Sequence, residues 1–127
     1  MFHYTVSTSK GLEEAIEALE QNLKEVKFGV LWKLDLRGKL QEKGVDFNQP
    51  YFILEVCNPQ EAAKVLTINE LTGYFLPCKI TVYESEGTTK IGLAKPSILV
   101  GMLENDDLKA VAEEIEKTLI GVLDKTK

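Results

Sequence analysis

The sequence predicts an α+β domain in which helices cover one face of an antiparallel sheet. Three observations carry this reading. Short runs of residues alternate between apolar and polar with period two, two long helical stripes stand towards opposite ends of the chain, and the later strands follow one another as a hairpin. A length of 127 residues suits one domain spanning 1–127, and no Ser/Gly-rich or Pro-rich run divides it.

Met1 to Ser7 alternates as a first strand. Ser9 is then placed to cap a helix whose apolar positions, Leu12, Ile16, Leu19, Leu23 and Val26, recur at helical spacing. Glu13 and Glu14 suit the positive end of its dipole, and Lys24 and Lys27 the negative end. From Phe28 the period changes to two. Phe28, Val30, Trp32, Leu34 and Leu36 are expected on one face of a half-buried strand and Lys33 and Asp35 on the other, which makes Trp32 a core or subunit-contact residue. Arg37 to Pro50, punctuated by Gly38 and Gly44, reads as a connection with at most one or two helical turns.

Tyr51 to Cys57 forms the third strand, with Phe52, Leu54 and Val56 on one face and Tyr51, Ile53, Glu55 and Cys57 on the other. Glu55 stands out as an acid in an apolar run. Asn58-Pro59-Gln60-Glu61 has the form of a helix start, with Asn58 at the N-cap, Pro59 at N1, and Glu61 able to reach back as in a capping box. After a loop around Gly73, Cys78, Ile80 and Val82 alternate with Lys79, Thr81 and Tyr83. A turn at Ser85-Glu86-Gly87 leads into Thr88–Ala94 and completes a hairpin. Pro96 or Ser97 opens a short apolar helix through Leu103, and Asn105 or Asp106 caps a last helix striped by Leu108, Val111, Ala112, Ile115, Leu119 and Val122. The core order is β-α-β-β-β-β-α. Its two long helices would share one face of the sheet, leaving the other for solvent, a ligand or a partner chain.

Composition excludes several classes of function. A net charge of −5, a pI near 5.0 and no basic cluster remove the electrostatic footprint of nucleic-acid binding. The longest apolar stretch, Ile98 to Leu103, falls far short of the ~20 residues that span a bilayer. No signal-peptide pattern precedes the first strand, so the expected location is cytoplasmic, with no membrane partner. Nothing matches a Ser-His-Asp set, a P-loop or a dinucleotide fingerprint.

The chemistry concentrates at two cysteines, in Glu55-Val-Cys57-Asn-Pro59 and Leu76-Pro-Cys78. They form no Cys-x-x-Cys pair, and in a reducing compartment they are free thiols or ligands rather than a disulfide. Cys57 lies where a strand meets a helix start. It either fills a small apolar space there or acts as a thiol or soft-metal ligand favoured by the helix dipole. Strict alternation places Cys57 and Cys78 on different faces, yet both sit at strand ends that antiparallel pairing would bring together. The candidate ligand-binding residues are therefore Glu55, Cys57, Asn58 and Cys78, with Cys57 and Cys78 as the candidate metal ligands. A structural zinc site needs four ligands, and one chain offers these two thiols and the single His3, so a dimer would have to pool them. Lys33 and Asp35, if beside Glu55, would complete a polar patch.

Phe28-Gly-Val-Leu, Leu34-Asp-Leu, Glu55-Val-Cys-Asn-Pro59, Leu76-Pro-Cys78 with Val82-Tyr83-Glu84, and Pro96-Ser97 together resemble the domain of unknown function 302 family of small bacterial and archaeal proteins. The resemblance spans nearly the whole chain. It implies a TATA-binding-protein-like fold, a curved antiparallel sheet backed by helices, often dimeric, and it implies no activity. Cys57, Asn58, Pro59, Pro77 and Cys78 match its motifs without an assigned role. Fold likeness does not import DNA binding into an acidic chain. The expected function is a cytoplasmic homodimeric binding protein holding a small molecule or a soft metal near Cys57. The alternatives are a thiol-dependent redox or sulfur-handling enzyme using Cys57 with Cys78, and an assembly module with no ligand.

Overall fold

The structure is a computed structural model and describes residues 1–127. The chain runs β1 (His3–Thr8), α1 (Leu12–Glu25), β2 (Gly29–Asp35), α2 (Leu36–Glu42), β3 (Tyr51–Cys57) and α3 (Pro59–Ile68). A 3-10 segment at Glu70–Phe75 then leads into β4 (Cys78–Ser85), β5 (Thr88–Ala94), α4 (Pro96–Val100), a 3-10 turn at Gly101–Leu103, and α5 (Asp106–Thr126). The strands form one five-stranded sheet of order β1-β5-β4-β3-β2 in which every neighbouring pair is antiparallel. Helix α1 carries the chain from one edge strand to the other. It packs beside α5 on one face of the sheet, as expected of an α+β fold.

The core lies between that face and the helices. Leu54 and Val56 of β3, Ile80 and Val82 of β4, and Ile91 of β5 are fully buried against Leu19 and Leu23 of α1 and Leu108, Leu119 and Leu123 of α5. The stripe of α5 runs one turn further than its leucine periodicity suggests. Thr126 is buried because its hydroxyl donates to the Val122 carbonyl and accepts from the Asn22 amide.

Most local signals are obeyed. Asn58 Oδ1 accepts from the backbone N–H of Gln60 at 3.1 Å and of Glu61 at 3.3 Å, and Asn105 Oδ1 accepts from that of Leu108 at 3.0 Å. At the β4–β5 hairpin, Glu86 and Gly87 both take positive φ, at 53° and 77°, as a two-residue hairpin turn requires.

Four local expectations are corrected. Gly11, not Ser9, is the N-cap of α1, with no side-chain bond. The Glu61 carboxylate pairs with Lys64 at 3.2 Å instead of reaching back to Asn58, because an i,i+3 cation lies closer along the helix face. The loop around Gly73 is a 3-10 segment capped by Asn69, whose Oδ1 accepts from the Leu71 N–H.

Strand β2 departs from strict alternation. A bulge shifts the register between Val30, opposite Val56, and Trp32, opposite Glu55. One added residue exchanges the faces of everything beyond it. Trp32 and Leu34 therefore turn away from the helices, and Trp32 is 53% exposed rather than part of the core. Lys33 swings to the helix side, where its ammonium meets Glu20 of α1 at 3.1 Å.

Candidate functional site

Alternation along β3 and β4 decides where the two thiols go. Val56 stands opposite Cys78, so Cys78 shares the helix-facing side with Ile80 and Val82, and Cys57, one residue on, faces the open side. The thiols are neighbours in the sheet but lie on opposite faces, so no disulfide joins them. The helix-start donors above Cys57 are taken by Asn58, whose oxygen holds both the Gln60 and Glu61 N–H groups. Cys57 is half-buried at the strand end.

Glu55 also faces the open side. Its carboxylate accepts from the Lys79 ammonium at 2.9 Å across the β3–β4 pair, and Trp32 stands opposite it on β2. The polar patch expected around Glu55 is built with Lys79. The bulge has carried Lys33 and Asp35 away to the helix side, and Asp35 caps α2 through the Gly38 N–H at 2.9 Å. The four candidate residues thus divide. Glu55 and Cys57 lie on the open face, Asn58 serves α3, and Cys78 lies on the covered face. No three His, Cys, Asp or Glu side chains gather around a point where a metal ion would fit.

Cys78 opens onto a cavity of about 230 Å³ that the sequence reading did not find. The 3-10 segment with Thr72 and Phe75, and Leu76 just after it, forms one wall, α4 another with Leu99 and Val100, and α5 the back with Ala112, Ile115 and Leu119. Leu93 and Cys78, at the ends of β5 and β4, form the floor. Tyr74, 84% exposed, stands at the rim. Of 16 lining residues 12 are hydrophobic, and the buried Thr72 hydroxyl is already committed to the Asn69 carbonyl at 2.8 Å, so the lining is predominantly apolar. Desolvation among these side chains, and secondarily the charge of Cys57, pushes the Cys78 thiol up to about 11. At neutral pH it is a protonated, weakly polar wall atom.

Sequence reasoning missed the cavity because its walls come from four separated stretches, none of which carries a motif. The one signal was positional: Pro77 and Pro96, at the entries of β4 and α4, both line the cavity.

Comparison with known proteins agrees with this architecture and adds no activity. The family model described as "Domain of unknown function DUF302" matches residues 4–126. The crystal structure of an uncharacterized conserved protein DUF302 from Bacillus stearothermophilus superimposes with a TM-score of 0.98 at 58% sequence identity, covering 100% of this chain and 99% of that one. No curated protein matches. With the family model matching almost from end to end and a solved relative this similar throughout, the chain belongs to the DUF302 family.

Proposed function

We propose that the protein binds a small, uncharged, apolar molecule in the cavity floored by Cys78. The observation that carries this is the cavity itself: about 230 Å³, lined by 12 hydrophobic residues among 16, with Lys79 the one charged residue in the lining and its ammonium turned to Glu55 on the other face of the sheet. Native interiors leave few voids larger than a water molecule, and an apolar void of about 150 Å³ already accepts benzene. A somewhat larger ring or short branched chain suits this one, with the thiol as a soft contact. The reading moves the ligand expected near Cys57 to the neighbouring Cys78. It gives no support to a nucleophile and resolving-thiol pair, which would need the two sulfurs on one face and a more acidic Cys78.

The experiment is thermal unfolding with and without indole. The midpoint should rise with indole concentration for wild type and Cys57→Ser, as mass action requires of a ligand bound to the native state. It should not rise for Cys78→Phe, whose ring occupies the floor. No rise in wild type would contradict the reading.

A homodimer fits a second observation. Leu31 and Trp32 are 62% and 53% exposed on β2, an edge strand, where a second copy would cover both. Sedimentation velocity should show a dimer that Trp32→Lys converts to a monomer. A monomeric wild type would dismiss it. Two unbridged thiols suit a reducing cytoplasm as its location.

A further inference from the structure

The open face of the sheet has a gap in its middle. Thr5, Gly92, Thr81 and Ile53 stand side by side across β1, β5, β4 and β3, and all face away from the helices. Gly92 contributes no side chain to that row. The close approach of β1 keeps it so, since a Cβ there would lie 2.8 Å from Thr5 Oγ1. The result is a shallow groove over the Gly92 peptide, with Thr5 and Thr81 on its sides.

Aromatic rings close both ends. At one end Tyr51 and Tyr83 stand opposite each other, stacked at 5.0 Å with their planes 14° apart. At the other, Phe2 and His3 meet edge to face at 5.0 Å, and His3 Nδ1 is fixed to Thr5 Oγ1 at 2.9 Å. Rings held in this way by their neighbours offer flat apolar walls to a flat guest.

The polar groups lining the groove can all donate, and none is an acid. None of the 20 acidic side chains of this acidic protein lines it, whereas Lys79, His3 and the hydroxyls of Thr81, Tyr51 and Tyr83 do. Among the tyrosines only Tyr4 hydrogen-bonds within the protein, to Asp124, so the Tyr51 and Tyr83 hydroxyls are free to donate. Lys79 gives one N–H to Glu55 at 2.9 Å and, with its side chain 61% exposed, has two more to give. A groove walled by aromatic rings and supplied with donors, whose one neighbouring carboxylate is the Glu55 that holds Lys79, selects a planar guest that carries negative charge.

We infer that the groove over Gly92 is a second binding site, on the opposite face of the sheet from the Cys78 cavity with which it shares the backbone of Lys79, Leu93 and Ala94, and that it takes a planar aromatic carboxylate whose anion pairs with Lys79. The ring lies over the glycine between the two aromatic ends. Glu55 competes with the guest for the Lys79 ammonium and so holds affinity down.

The test is isothermal titration of 2-naphthoate at low ionic strength into the full-length wild type, Glu55→Gln, Lys79→Gln and the cavity-filling Ala112→Leu. Expected is one site per chain, about tenfold tighter in Glu55→Gln and about tenfold weaker in Lys79→Gln, the range a charge-assisted hydrogen bond commands. Ala112→Leu should bind as wild type does, and neither naphthalene nor acetate should compete. Absence of binding in both wild type and Glu55→Gln would overturn the inference. So would affinity indifferent to Glu55→Gln, affinity lost in Ala112→Leu, or a wild-type dimer in which the Tyr51 and Tyr83 rings are covered by the second copy. The Glu55→Gln arm decides the matter even if Lys79→Gln fails to fold.

Discussion

Cys57 and Cys78 occupy adjacent positions on paired strands, and the alternation of the sheet separates their surroundings. Both thiols are half-buried, but Cys78, protonated up to about pH 11 by its apolar surroundings, should react slowly with a thiol reagent at neutral pH, and Cys57 on the open face should react first. Timed labelling with mass mapping checks this, and equal rates would contradict it. The same burial ties stability to pH. The folded protein holds the Cys78 proton more tightly than the unfolded chain, whose thiol titrates near 9.0, so the contribution is complete below pH 9 and is lost as pH rises towards 11. A gap of about two pH units corresponds to about 3 kcal/mol. Urea unfolding between pH 8 and 11 should show a decline of that order that Cys78→Val removes. Strand parity pointed to opposed faces for the two thiols but left a shared site open, and the β3–β4 register decides it. The fate of Trp32 was not readable, because a bulge exchanges faces without leaving a mark in the apolar pattern.

At the scale of elements, the clearest sequence signals were those with a local mechanism. Asn58-Pro59 starts α3 as its side-chain chemistry requires, and Asn58→Ala should lower stability by about 1 kcal/mol in denaturant unfolding. Glu61→Ala should change little, since its partner is Lys64 on the helix surface rather than the cap. A drop for Glu61→Ala as large as that for Asn58→Ala would restore the capping box. The Glu86-Gly87 turn follows the same logic, and Gly87→Val should destabilise the hairpin because a branched residue resists φ of 77°. The 3-10 segment Glu70–Phe75 escaped notice because it is held by Asn69 and by packing on α3 and α4, and shows no apolar periodicity of its own.

The whole molecule is a sheet with two unlike faces. Helices and core cover one and leave a cavity at the ends of β4 and β5, whereas the other is open and carries the Glu55–Lys79 pair and the tyrosine stack. The sequence of elements along the chain, the antiparallel sheet, the two long helices on one face and the open face opposite followed from the alternation and from the short connections, whereas the order of the strands across the sheet did not. The cavity did not, since it depends on how α4 and α5 close over the sheet end, a matter of side-chain volumes distant in sequence. Ala112 is 1% exposed and lines this space, so Ala112→Leu should be accommodated without the loss of about 1–3 kcal/mol that enlarging a side chain in a filled core brings. The most direct test of the cavity as a binding site is an amide-resolved NMR titration of wild type and Ala112→Leu with toluene. Saturable shifts confined to residues 72–79, 93–100 and 112–119 of wild type, absent in Ala112→Leu, are the predicted result; shifts that never saturate, or that persist unchanged in the filled variant, would contradict it.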